Sequence, residues 1–134
     1  MSCLFDSLAL CLKNNMSSLH IRHLICNTMM NEYTSTGNIN ISNTSLKDWI
    51  LMENDFNIIK GKRYIQNMYL QSTWGGGLEL SVASYLFKVK IYIVKNTKII
   101  SIFDITNLTN PTKIFIQYNG FHYTPITCKV ICNK

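Results

Sequence analysis

With 134 residues, 47% of them apolar, and a net charge of +6, the chain can build one core and is too short for two full domains. Lys and Arg are scattered and not blocked together with aromatics, so the positive balance does not mark a nucleic-acid surface. No apolar run approaches the roughly 18 residues that a membrane helix needs.

The five cysteines, Cys3, Cys11, Cys26, Cys128 and Cys132, are odd in number and follow no signal peptide. They read as free thiols of a reducing, cytoplasmic compartment, not as a disulfide framework. Heavy use of Asn and Ile suggests an AT-rich genome such as that of a virus.

In chain order, Leu4, Leu8, Cys11 and Leu12 recur at helical spacing, with Phe5 widening the apolar face, and predict a helix from Cys3 to about Asn14. Ser17 or Ser18 caps a second helix that runs to about Tyr33. Thr34 to Thr44 is polar, contains Gly37 and reads as a loop. Ser45 caps a short helix over Leu46 to Met52, with Trp49 and Ile50 as its core contacts. Gly61 to Gln71 is a further helix carrying Tyr64, Ile65, Met68 and Tyr69 on one side. After the glycine loop Ser72 to Gly77, Leu78 to Phe87 is helical again, with Glu79 in the first turn, where its charge suits the helix dipole.

The period then changes to two. Val89 to Val94 alternates and is β-branched; Lys98 to Phe103, Lys113 to Tyr118 and Phe121 to Thr127 are three more strands. Asn119-Gly120 predicts a two-residue turn, with Tyr118 facing Phe121, Gln117 facing His122 and Ile116 facing Tyr123. Helices first and strands later indicate an α+β fold in a single domain over residues 1–134.

Two residues at opposite ends of the chain carry chemistry together. Cys3 opens a helix whose N-terminus stabilises a thiolate, and whose backbone amides can hold an oxyanion. On its predicted strand, His122 has Thr124 along the strand and Gln117 across it, which suits a general base. A thiolate beside an imidazole performs acyl transfer through a thioester. Each residue also has a plainer reading: Cys3 as a small buried hydrophobe, His122 as an edge histidine, Trp74 and Tyr123 as core anchors. His20, His23 and Cys26 drift around a helix with no fourth ligand, so no metal is expected. Gly75 to Gly77 lacks the Lys-Ser/Thr ending of a phosphate loop.

Met1-Ser2-Cys3-Leu4-Phe5 resembles the nucleophile motif of the OTU (ovarian tumour) cysteine proteases, Asp-Gly-Asn/Asp-Cys-Leu-Phe. Ile21-Arg22 is similar to the family's Leu-Arg pair, Trp74-Gly75-Gly76-Gly77-Leu78-Glu79-Leu80 to its Trp-Gly-Gly-x-x-Glu-Leu, the strand at Ile91 to Val94 to its central strand, and His122-Tyr123 to its terminal His-aromatic pair. The resemblance covers nearly the whole chain in order.

It implies a papain-like OTU fold, with helices flanking a small, mostly antiparallel sheet. It further implies a deubiquitinase needing no cofactor, acting as a monomer on ubiquitin or ubiquitin-like conjugates. Carried over, Cys3 is the nucleophile and His122 the base, the amides of Ser2 and Cys3 form the oxyanion hole, and Trp74, Gly75, Gly76 and Gly77 lie near the channel for the substrate's glycine tail. The family's aspartate three residues before the cysteine has no counterpart, because the sequence begins at Met1; Thr124, with Gln117 and Asn119, is the candidate substitute. That gap keeps a second reading open, a catalytically impaired module that binds ubiquitin without cleaving it.

Overall fold

Side-chain caps set where the helices begin. Ser17 accepts from the His20 amide and starts α2 (Ser18–Thr34); Ser45 accepts from the Asp48 amide and starts α3 (Leu46–Glu53); Asn57 accepts from the Lys60 amide and starts α4 (Ile58–Met68). The computed structural model, which describes residues 3–35 and 37–126, adds α1 (Cys3–Leu12) and α5 (Gly77–Phe87). The strands are β1 (Asn40–Ile41), β2 (Thr44–Ser45), β3 (Val89–Lys95), β4 (Lys98–Phe103), β5 (Thr112–Tyr118) and β6 (Tyr123–Pro125).

The main sheet has the order β4-β3-β5-β6. Its β3–β4 and β5–β6 pairs are antiparallel, and β3–β5 is parallel. The core-facing residues Ile91 and Ile93 of β3 and Ile114 and Ile116 of β5 are buried, together with Leu4, Phe5 and Leu8 of α1 and Ile21, Ile25 and Met29 of α2. α2 packs on α1, α3, α4 and α5, so it is the hub of the helical layer, while α1 also lies against β5 and β6 at the far edge of the sheet. The first and last described elements therefore meet.

Three expectations are corrected. The fourth helix runs from Ile58 to Met68, and so starts before Gly61 and ends before Gln71; Asn57 supplies a cap that the exposed Ile58 and Ile59 do not advertise as apolar periodicity. Within the polar stretch, Asn40–Ile41 pairs with Thr44–Ser45 as a short ribbon, and Trp49, half-buried, donates its indole N–H to the Ile41 carbonyl at 2.9 Å.

The hairpin register is Tyr118 to Tyr123, Gln117 to Thr124 and Ile116 to Pro125, two residues further along than a two-residue turn allows. Asn119 explains the longer loop: its side-chain oxygen accepts from the amides of Phe121 and His122, at 2.9 and 2.8 Å, and its own amide donates to the His122 carbonyl at 3.1 Å. A shift of two preserves the faces, so Ile114 and Ile116 stay inside and Gln117 and Thr124 outside. The predicted end of that last strand at Thr127 lies outside the described residues.

Candidate active site

Cys3 is the first residue of α1 and half-buried. The next turns fix it in place, because Leu4, Phe5 and Leu8 are each 1% exposed or less and the Ser7 hydroxyl donates to the Cys3 carbonyl at 2.8 Å. At this position the amides of the first helical turn have no intrahelical acceptor, which favours an anion beside them. At the other two described cysteines burial disfavours the thiolate. Burial raises the Cys11 pKa, and burial followed by the nearby Glu79 pushes Cys26 up to about 12.

The second arm is the loop between α4 and α5. Arg22 of α2, 1% exposed, reaches under it. Its guanidinium donates to the carbonyls of Met68 at 2.7 Å, Thr73 at 3.0 Å and Gln71 at 3.5 Å, and lies 4.1 Å from the centroid of the Phe5 ring. One cation thus ties the loop to the helix that begins with Cys3. Gly75 completes the contact: a Cβ built there would stand 2.6 Å from a Leu4 methyl and 3.0 Å from the Phe5 ring, so only glycine allows this approach.

Gly76 donates its amide to the Glu79 carboxylate at 2.6 Å, and Tyr64 donates its hydroxyl to the other oxygen at 2.6 Å. Glu79 is fully buried, and desolvation raises its pKa above the usual carboxylate range although both hydrogen bonds oppose that. Its role is to close the glycine loop onto α5, a stronger duty than the dipole interaction expected of it.

The third arm is His122, in the loop that Asn119 shapes, one residue before β6. The Tyr118 hydroxyl donates to the Gly120 carbonyl at 2.8 Å and braces the same loop. The His122 ring meets Trp74, with centroids 5.8 Å apart and planes tilted by 44°. Tyr123, the next residue, packs its ring on Tyr118 with centroids 4.7 Å apart, and burial, followed by the charges of Tyr118, Cys3 and Glu79, raises its pKa; its strand lies against α1. The N-terminus of α1, the Trp74–Gly75 loop and the His122–Tyr123 segment therefore converge.

Thr124 stands exposed on β6, opposite Gln117. The register places Gln117 across from Thr124 and not from His122, and the Asn119 oxygen is committed to backbone amides. Ser2, Cys128 and Cys132 lie outside the described residues. His20 and His23 are exposed on α2 while Cys26 is buried, so the three do not converge. The sequence reading has Arg22 as half of a motif pair and Asn119 as a turn residue, but misses Arg22 as a strut under the glycine loop and the Asn119 oxygen as acceptor of the loop amides. A lone arginine between Ile21 and Ile25, on an otherwise apolar face, is the available signal for the first.

The chemistry open to this arrangement is that of a cysteine hydrolase: a thiol at a helix N-terminus, a glycine loop seated on the same helix, and an exposed imidazole in ring contact with that loop's tryptophan. The family model of the OTU-like cysteine proteases matches residues 2–125, and the chain belongs to that family. Among solved structures it is similar to an ovarian tumour (OTU) domain in complex with ubiquitin, with 26% identity, a TM-score of 0.65, and coverage of 92% of this chain and 62% of that one. The chain thus spans about three fifths of the length of that domain.

It is also similar to an OTU deubiquitinase from Wolbachia pipientis wMel, at 15% identity and a TM-score of 0.67, covering 98% of this chain and 89% of that one. The viral OTU domain protease from Dera Ghazi Khan virus matches at 12% identity and a TM-score of 0.59, covering 94% and 76%. Both share the mixed α+β fold. Among curated proteins, none matches this chain.

Proposed function

We propose that this chain is a deubiquitinase, a single OTU domain acting as a cytoplasmic monomer that hydrolyses the bond after the C-terminal Gly-Gly of ubiquitin or a ubiquitin-like modifier. The observation that carries the reading is the convergence of Cys3, the Trp74–Gly75 loop and His122 in a chain of this family. The ubiquitin seen in complex with a similar OTU domain supports the choice of substrate.

In the proposed reaction His122 holds the proton of the Cys3 thiol, and the thiolate sulfur attacks the carbonyl carbon of the terminal glycine. The resulting oxyanion is assigned to the amides of Ser2 and Cys3, of which Cys3 opens α1 and Ser2 lies outside the described residues. Its collapse breaks the C–N bond, and His122 gives its proton to the departing amine. His122 then takes a proton from water, the hydroxide adds to the thioester carbon, and collapse breaks the C–S bond; the acid loses its proton to solvent and leaves as the carboxylate, with Cys3 again a thiolate and His122 protonated. Gly75 and Gly76 border the channel that admits the glycine tail, with Trp74 and Gly77 at its sides, and Thr124 is the candidate third member on the histidine side.

The second reading, a module that binds ubiquitin without cleaving it, draws on one feature: among the described residues no carboxylate pairs with His122. Orientation of the imidazole by a carboxylate is what sustains full activity in triads of this kind. Hydrolysis of a fluorogenic ubiquitin C-terminal amide separates the two. The enzyme reading predicts turnover that Cys3→Ala abolishes and His122→Ala lowers at least 100-fold. Binding of ubiquitin without turnover by the folded wild type would favour the module.

A further inference from the structure

Trp74 has an unusual combination of properties. Its side chain is 49% exposed, so it is not a core anchor, yet its backbone is fixed on both sides. Immediately before it, the Thr73 carbonyl accepts from the buried Arg22 at 3.0 Å, and the Thr73 hydroxyl donates to the Asn67 carbonyl at 2.6 Å. Immediately after it, Gly75 is seated against Leu4 and Phe5. The indole is therefore presented to solvent at a set place, and there it meets the His122 ring, at 5.8 Å between centroids.

An aromatic face within about 6 Å of a cation attracts it, indole most strongly. His122 is a cation twice in the proposed cycle: when it holds the thiol proton and again when it holds the proton of water. We infer that Trp74 is the positioning residue of His122, fixing the imidazole by ring contact and favouring its protonated form. This inference rests on the reading of Cys3 and His122 as the reacting pair, and it gives the histidine a support where, among the described residues, no carboxylate pairs with it.

Other titratable groups lie around the neighbours of this imidazole and must be held constant. They are Tyr118, Cys3 and Glu79, whose charges reach Tyr123, and Asp6, whose charge reaches Arg22 under the loop. None is altered by changing Trp74. Arg22 serves at one remove, since its grip on Thr73 sets where the indole stands.

The test is the pH dependence of Cys3 alkylation by iodoacetamide, read by mass spectrometry of the peptide carrying Cys3, in wild type, Trp74→Phe and Trp74→Leu. It is run alongside hydrolysis of the fluorogenic ubiquitin amide. Loss of a cation–π contact at an exposed site should raise the alkylation midpoint in Trp74→Leu by about half a pH unit, which is about threefold slower labelling below the midpoint. Trp74→Phe should recover part of the shift. In a His122→Ala background Trp74→Leu should leave the midpoint unmoved.

A wild-type midpoint in folded Trp74→Leu, or an equal shift without His122, would overturn the inference. If the midpoint shifts but the ubiquitin amide is never hydrolysed, the positioning role stands and the deubiquitinase reading fails.

Discussion

Arg22 and Glu79 are the two buried charges on which the site's geometry depends. Replacing Arg22 with methionine keeps much of its volume but strips the donor from the carbonyls of Met68 and Thr73. Leaving such groups unpaired should cost about 2–4 kcal/mol, or roughly 10 °C in Tm for a domain of this size, readable by thermal unfolding. Arg22→Lys should recover little, since an ammonium cannot span the same carbonyls from one plane.

Glu79 contributes a pH dependence of known sign. Burial raises its folded pKa above the unfolded value, so its contribution to stability is full below the unfolded pKa and is lost as pH rises through the folded pKa. Urea unfolding of wild type and Glu79→Gln across pH 4 to 7.5 should therefore converge as pH rises, with wild type losing relative stability. A parallel pair of curves would contradict this. Neither duty is legible in sequence, because the partners of Arg22 lie 46 to 51 residues away and the tyrosine on Glu79 lies 15 away.

Among the elements, the close seating of the glycine loop on α1 predicts that Gly75→Ala acts on activity beyond its cost in stability. The added methyl must displace Leu4 or Phe5, which lie just behind Cys3. Overpacking of this kind costs about 1–3 kcal/mol, and the shift it forces should lower kcat/KM by at least tenfold in protein that remains folded. Asn119→Ala, which frees the amides of Phe121 and His122, should likewise lower kcat/KM with a smaller effect on Tm.

At this scale the sequence is most readable where the signal is local. Ser17 and Ser45 cap the helices as their side-chain chemistry predicts. The alternation of β3 holds from Val89 to Ile93 in the sheet interior and breaks at the irregularity between Ile93 and Val94, both of which are buried. The Asn119-Gly120 pair does mark a reversal, but the Asn119 side chain competes for the loop amides and stretches a two-residue turn to four. The short β1–β2 ribbon escapes notice because its residues are polar and its pairing is only two residues long.

For the molecule as a whole, the net charge of +6 bears on encounter with substrate. On the proposed reading the substrate is a ubiquitin tail, itself basic, and the described acidic side chains are partly engaged: Asp55 pairs with Lys60 at 3.0 Å, and Asp104 accepts from Thr106. Raising ionic strength from about 20 to 200 mM should therefore raise kcat/KM, by screening like charge. A fall would point to an acidic surface that receives the tail. The ordered set of motifs made the family legible, because each sits at a place the fold requires. The pairing of Cys3 with His122 is legible too, but the means are not, since they depend on α1 and β6 meeting at one edge of the sheet.

The most direct measurement is reaction of the protein with an electrophilic ubiquitin C-terminal probe, followed by peptide mapping. The account predicts one covalent adduct, on Cys3, absent in Cys3→Ala and strongly slowed in His122→Ala, with Cys11 and Cys26 unlabelled. A folded wild type that forms no adduct, or one that is labelled at another cysteine, would contradict it.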